Sequence, residues 1–156
     1  MKTTHSATPS ITKYINVDLD VISRRPLDAL VDAMGERVLV LYVGAQGRGY
    51  GAHVELRGSH FGMGVDKAIR GLVRLLKRLP PAARRLWDQA RSREFSIGIE
   101  AGLRPHGFDL HLQRETLEAV LSVGATLAVT VYAPDVPPGA PRPRISRNRG
   151  SKRLKP

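Results

Sequence analysis

The chain has 156 residues, of which 42% are apolar and 25% charged, so it is long enough for one globular domain and unlike a disordered protein. It contains no cysteine, which excludes disulfide bonds, thiolate zinc sites and cysteine nucleophiles. Its start lacks the apolar core of a signal peptide, and no apolar run reaches the ~18 residues of a membrane helix. We therefore expect a cytoplasmic protein, of bacterial type, without a membrane partner.

The positive charge, +11 overall, is concentrated in two segments. Residues 64–93 carry nine basic and two acidic side chains, and residues 141–156 carry seven basic and no acidic ones. The rest of the chain is mildly acidic. Composition further predicts a flexible N-terminus at 1–12, a single domain at 13–133, and a disordered basic tail rich in Pro and Arg at 134–156.

Apolar periodicity predicts an α+β fold with a single mixed sheet of about six strands and helices packed on one face. In chain order we expect a strand at 14–22, a helix at 26–35, strands at 38–43 and 52–56 joined as a hairpin, helices at 65–79 and 81–90, strands at 95–100 and 107–112, a helix at 115–123 and a strand at 126–132. The strand at 38–43 is apolar at every position, which predicts a central strand.

Two segments of the chain, 30–43 and 119–132, share the order helix, glycine, strand. This similarity suggests a pair of βαβ units related by an internal pseudo-repeat, in which the opening strand of the second unit would fall at 103–111. Any short helix–strand unit has the same pattern, so a chance similarity stays open.

Polar side chains occupy the outward positions of the alternating strands. In the first strand, Asn16, Asp18 and Asp20 alternate with apolar residues, as they would on the solvent face of a sheet covered by helices on its other side. Such a face also offers a surface to another protein, in particular a basic one. The candidate partner-binding residues are Asp18, Asp20, His53, Glu55, Glu100, Asp109 and His111.

Metal binding and acid–base catalysis are weaker interpretations of the same residues. His53-x-Glu55 and Asp109-x-His111 would each present a histidine and a carboxylate on neighbouring strands, but no spacing specific for a metal occurs. We therefore assign no catalytic residue, no metal ligand and no cofactor, and favour a non-enzymatic protein.

The long predicted helix at 65–79 has a basic face opposite its leucines. No glutamate compensates these cations at the preceding turn, so the helix and the basic tail could follow a phosphate backbone of RNA or DNA without sequence preference. A solvated face is the plainer interpretation, since no known nucleic-acid-binding motif is present. The candidate nucleic-acid-binding residues are Lys67, Arg70, Arg74, Lys77, Arg78, Arg84 and Arg85.

The segment 95–134 ends in the pattern L-x-x-ETL-x-x-V-x-x-x-G-A-x-L-x-V-x-x-Y, after a strand, a turn and a strand. In this segment the chain resembles an uncharacterised family of small bacterial α+β proteins, a domain of unknown function with some immunity or accessory proteins among its members. The resemblance implies an α+β fold and an immunity-like role in binding another protein. It supplies no catalytic residue.

Overall fold

The computed structural model describes residues 11–59 and 62–133. Its elements are β1 (Lys13–Ser23), α1 (Asp28–Met34), a short 3-10 helix (Gly35–Arg37), β2 (Val38–Gln46), β3 (Gly49–Leu56), α2 (Val65–Lys77), α3 (Pro81–Asp88), β4 (Ser92–Glu100), α4 (Arg114–Ser122) and β5 (Thr126–Tyr132). The predicted tail at 134–156 and most of the segment 1–12 lie outside the described residues, so their flexibility stays a prediction.

One mixed sheet runs through the described residues, with five strands in the order β2-β3-β1-β4-β5. β1 is antiparallel to both β3 and β4, and β2 is antiparallel to β3, as expected for the predicted hairpin. β5 runs parallel to β4, because α4 carries the chain back across the sheet between them. The α+β class and the single mixed sheet are therefore confirmed.

The core lies between one face of this sheet and the helices. Val17, Leu19 and Val21 point into it from β1, as the alternation predicts, and each is at most 1% exposed. Leu72 and Leu76 of α2 belong to the same buried cluster and are fully buried. Side chains of α1, α3 and α4 complete the cluster, so burial of apolar area on this face supplies most of the stability.

The sixth predicted strand, at 107–112, does not form. The segment between β4 and α4 belongs to no strand ladder, and its apolar residues Phe108, Leu110 and Leu112 are half-buried against the core. Alternation predicts which side chains face the core but not whether the backbone has a partner strand, and here no ladder forms. The pseudo-repeat stays unconfirmed, since its second opening strand at 103–111 is missing.

The two edges of the sheet also differ from the prediction. β2, expected in the centre, is an edge strand, and four successive apolar residues on it are 36 to 50% exposed: Leu39, Val40, Leu41 and Tyr42. On the opposite edge, Val129 lies next to the buried Ile97 of β4 but is 55% exposed, because the helix layer does not cover β5 there. Apolarity on both faces is typical of central strands, so the position of β2 in the sheet does not explain why its exposed residues are apolar.

None of the helices in the described part of the chain is both long and apolar enough to cross a membrane.

Candidate functional site

The antiparallel pairing of β1 with β3 brings four of the predicted partner-binding residues together on the outer face of the sheet. Asp18 lies directly opposite Glu55, and Asp20 lies directly opposite His53. Opposite residues of an antiparallel pair have Cβ atoms about 5 Å apart, so their side chains interact. We call these four residues, with Asn16, the acidic face.

Asp18 and Glu55 share a hydrogen bond, and Asn16 joins them from the side. The Asn16 amide nitrogen Nδ2 donates to Asp18 Oδ1 at 2.9 Å and to Glu55 Oε1 at 2.6 Å. Although Glu55 lies on the outer face, only 3% of it is exposed. Burial, followed by the hydrogen bond and the charge of Glu55, raises the pKa of Asp18 to about 7. Asp18 therefore holds its proton over much of the acidic range and donates it to Glu55.

Tyr14 also responds to this pair of carboxyl groups. Burial, followed by the charges of Glu55 and Asp18, raises the pKa of the Tyr14 hydroxyl to about 12. The hydroxyl oxygen is buried and has no hydrogen-bond partner among the described residues. Negative charge is thus concentrated within a part of the domain that water reaches poorly.

Asp20 and His53 form the second half of the acidic face. His53 Nδ1 lies 2.6 Å from Asp20 Oδ1, and His53 Nε2 lies 3.1 Å from Gln46 Oε1 on β2. His53 on β3 is therefore linked to both neighbouring strands, β1 through Asp20 and β2 through Gln46. The ring of Tyr42 lies 5.8 Å from that of His53 between centroids, and the Tyr42 hydroxyl donates to the carbonyl of Ala45.

Gly98 on β4 leaves the space that the Asn16 amide occupies. A Cβ atom at this position would lie 2.4 Å from Asn16 Oδ1, closer than two such atoms can approach. The absence of a side chain at Gly98 therefore leaves room for the Asn16 amide that bridges Asp18 and Glu55.

The exposed apolar residues of β2 lie next to the acidic face. We call these four residues, Leu39 to Tyr42, the apolar edge. Leu39 lies opposite Glu55 and Tyr42 lies opposite His53, so both side chains point to the side of the sheet that carries the acidic face. Asn16, Gln46, Leu39 and Tyr42 were missing from the candidate residues. The hairpin turn at 47–48 fixes the register of β2 against β3, so counting back from that turn would have placed Tyr42 opposite His53. The bulge between Val40 and Tyr42 then shifts the register by one residue, so the same count would not have placed Leu39 opposite Glu55.

The other three candidate partner-binding residues lie outside the acidic face. Glu100, at the end of β4, forms an ion pair with Lys13, whose Nζ is 3.0 Å from Glu100 Oε2. Asp109 and His111 are exposed on the segment before α4, outside the sheet, so the prediction that they face out from a strand next to the others is wrong. Within the described ranges, no group of three or more His, Asp or Glu residues could hold a metal ion.

The candidate nucleic-acid-binding residues lie on α2 and α3. Lys67, Arg74 and Lys77 of α2 and Arg78 just after it are exposed, and Arg70 of α2 is half-buried. None of these five makes an ion pair with another described residue. On α3, Arg85 is exposed, whereas Arg84 donates to Asp88 at 3.0 Å. We call Lys67, Arg70, Arg74, Lys77 and Arg78 the basic stripe.

The described part of the chain therefore presents two charged surfaces: the acidic face with its apolar edge, and the basic stripe. The acidic face is tied to the centre of the sheet by the register of β1, whereas the basic stripe is an outward helix face. The resemblance of segment 95–134 to a family of immunity-like proteins stays a prediction. No protein-family model, curated protein or solved structure matches the chain.

Proposed function

We propose that the protein is a non-enzymatic protein-interaction module, of the immunity or accessory type, that binds a basic protein partner through the acidic face and the adjoining edge of β2. The observation that carries the proposal is the row of exposed apolar residues on β2 beside a hydrogen-bonded acidic cluster. The resemblance of segment 95–134 to immunity-like proteins points in the same direction.

The apolar edge supplies the contact area. Edge strands are normally short, charged or covered, since their free backbone groups attract other chains. β2 is nine residues long, and four successive apolar residues on it, from Leu39 to Tyr42, are exposed. A bulge between Val40 and Tyr42 interrupts regular pairing along this edge, which limits unwanted pairing with other chains. An exposed apolar row beside polar groups is typical of protein-binding surfaces.

The acidic face supplies the charge complementarity. A lysine or arginine of the partner would meet the half-buried carboxyl groups of Asp18 and Asp20, and it would favour the ionised form of Asp18. Binding near neutral pH should therefore release a proton from Asp18, whose folded-state pKa is about 7. Carboxylates that are already held by hydrogen bonds bind a cation without first being ordered, which lowers the cost of association.

The experiment uses a photo-crosslinking amino acid in place of Leu41. We expect it to capture a protein that the same group in place of Ala82, exposed on α3, does not capture. The captured protein is then purified and titrated against the full chain by calorimetry in two buffers with different ionisation enthalpies. Asp20→Asn and Leu41→Lys should each weaken binding at least tenfold, and Asp32→Asn, a matched charge change on the exposed face of α1, should not.

Three results would contradict the proposal. One is equal capture from positions 41 and 82, and another is equal loss of affinity in Asp32→Asn and Asp20→Asn. The third is binding near pH 7 that is not accompanied by proton release.

A second candidate function is sequence-independent binding of RNA or DNA through the basic stripe and the basic tail. It is favoured by the absence of ion pairs at the five stripe residues within the described part of the chain. The triple change of Arg70, Arg74 and Lys77 to Gln should flatten the slope of log K against log salt by about 2 to 3. Unchanged affinity and slope in this variant, while deletion of the tail abolishes binding, would assign any nucleic-acid affinity to the tail alone.

A further inference from the structure

A pocket of about 440 Å³ lies where α2 passes the end of β3 and the 3-10 helix. Its charged lining comes from three separate elements, with Arg37 on the 3-10 helix, Arg57 just after β3, and Arg74 and Arg78 on and just after α2. Glu36 is the acidic lining residue, and Leu56, Gly71 and Leu75 provide the apolar part. The charged side chains that line the pocket sum to +3 with all of them ionised.

None of the four arginines makes an ion pair with a described residue, and this holds for Glu36 in the same pocket too. Arg57 is fixed in place, since its Nε donates to the carbonyl of Glu36 at 2.7 Å and its Nη2 to that of Val38 at 3.3 Å. Its Nη1 makes no hydrogen bond to another described residue. Four guanidinium groups around one pocket repel each other, so an anion bound between them would stabilise the fold as well as the complex.

Helix geometry alone does not account for this arrangement. Cations near the C-terminal end of α2 are favoured by the carbonyl groups there, which explains Arg74 and Arg78 without a ligand. Arg37 and Arg57 come from a different part of the sequence and lie next to each other through the hydrogen bonds of Arg57 to the backbone at 36–38, which do not involve the end of α2. Gly71 brings the two parts close, because a Cβ on it would lie 2.4 Å from Leu56 Cδ2.

The size and lining of the pocket indicate the class of ligand. Small-molecule sites typically span about 300 to 1,000 Å³, and a bare phosphate ion would fill only a minor part of this one. Planar guanidinium groups match the oxygens of a phosphate in pairs, whereas Leu56 and Leu75 offer an apolar surface to the rest of a molecule. The ligand that fits both halves is a phosphate group on an organic body.

We propose that this pocket binds a small phosphomonoester of about mononucleotide size, with the phosphate held by Arg37, Arg74 and Arg78 and the organic part on Leu56 and Leu75. This function is independent of protein binding at the acidic face. It also differs from nucleic-acid binding by the basic stripe, because it requires Arg37, which lies outside that stripe.

The test measures binding of adenosine 5′-monophosphate, ribose 5-phosphate, inorganic phosphate and adenosine to the full chain by calorimetry and thermal unfolding. We expect the two phosphomonoesters to bind and to raise the Tm, inorganic phosphate to bind more weakly, and adenosine to show no effect. Arg37→Gln and Arg78→Gln should each weaken phosphomonoester binding at least tenfold. Arg48→Gln, an equal loss of charge in the exposed β2–β3 turn, should leave it within twofold.

Other results would overturn the proposal. Adenosine binding as tightly as its monophosphate would remove the phosphate from recognition. Equal losses in Arg48→Gln and Arg37→Gln would reduce the effect to net charge. Binding of an RNA oligonucleotide without any binding of the phosphomonoesters would assign the arginines to a polymer surface instead of a small-molecule pocket. Thermal unfolding of each variant without ligand separates loss of binding from loss of folding.

Discussion

Replacing Asp18 by Asn should stabilise the protein at pH 8 and leave its stability at pH 4 nearly unchanged. The folded state holds the proton of Asp18 more tightly than the unfolded chain, because burial and Glu55 raise its pKa to about 7. A raised carboxyl pKa contributes stability that is fully present below about pH 4, declines as the pH rises from 4 to 7, and is lost above 7. Asn keeps the shape of the neutral acid and cannot ionise, so the variant should not show this decline.

The magnitude follows from the displacement of the pKa. An ordinary Asp carboxyl titrates near 3.9, and one pKa unit corresponds to about 1.4 kcal/mol, which sets an upper limit of about 4 kcal/mol for three units. Asp18 is only half-buried, and screening by solvent reduces the effect. We therefore expect Asp18→Asn to raise the free energy of unfolding at pH 8 by about 1 to 2 kcal/mol.

Urea unfolding followed by the fluorescence of Trp87 measures this difference, since the chain has one tryptophan and its side chain is fully buried. Asp20→Asn is the matched control: it replaces the charged acceptor of His53 by a neutral amide and should lower stability at pH 7. A variant Asp18→Asn that is destabilised equally at pH 4 and pH 8 would refute the reasoning. So would a wild-type protein whose stability, relative to this variant, does not fall between these pH values.

Three further changes test the packing around the sites by urea unfolding followed by circular dichroism. Gly98→Ala should push the Asn16 amide off the acidic carboxyl pair and cost about 1 to 3 kcal/mol, whereas a smaller cost together with an unchanged pH dependence would contradict the close contact. Asp66→Ala should cost about 1 to 2 kcal/mol, because the Asp66 carboxylate accepts the Thr116 hydroxyl and a backbone N–H at the start of α4. Trp87→Phe should cost about 2 to 3 kcal/mol, because it opens a cavity and removes the indole N–H that donates to the buried carbonyl of Val123 at 2.9 Å. A cost below about 0.5 kcal/mol would contradict this, because it would mean that the neighbouring side chains fill the cavity.

Much of the fold follows from local patterns in the sequence. Strict alternation located β1, and it correctly placed Asp18 and Asp20 on the face opposite the core. Helical spacing of apolar residues located α2, and the double proline at 80–81 located the start of α3. These patterns succeed because they record, residue by residue, which side of an element meets the core.

The order of strands could not be obtained in this way. An all-apolar strand is typical of the centre of a sheet, yet β2 lies at an edge, and apolarity alone does not show which strands lie next to it. The segment 107–112 alternates like a strand, yet its backbone has no neighbour to pair with. Both errors concern which strand lies next to which, a property of the whole chain that no short window contains.

The candidate site was predicted in its residue types but not in its chemistry. Alternation placed Asp18 and Glu55 on one face, but the cross-strand register that makes them share a proton depends on how β1 and β3 pair. The arginine pocket was missed because Arg37 and Arg57 are far in sequence from Arg74 and Arg78. Separate charge counts for each segment cannot reveal such a convergence.

The position of β1 in the sheet also sets the order in which the domain can assemble. β1 pairs with β3 on one side, at Asp18 and Glu55, and with β4 on the other, at Asp18 and Ser96. A chain emerging from the ribosome can complete the first pairing long before it has made the second, and closing the longer loop is the slower step. Until β4 arrives, the strand that carries Val17 and Leu19 has one open edge. A chain that stops before β4 would expose this edge to other chains and should aggregate during synthesis.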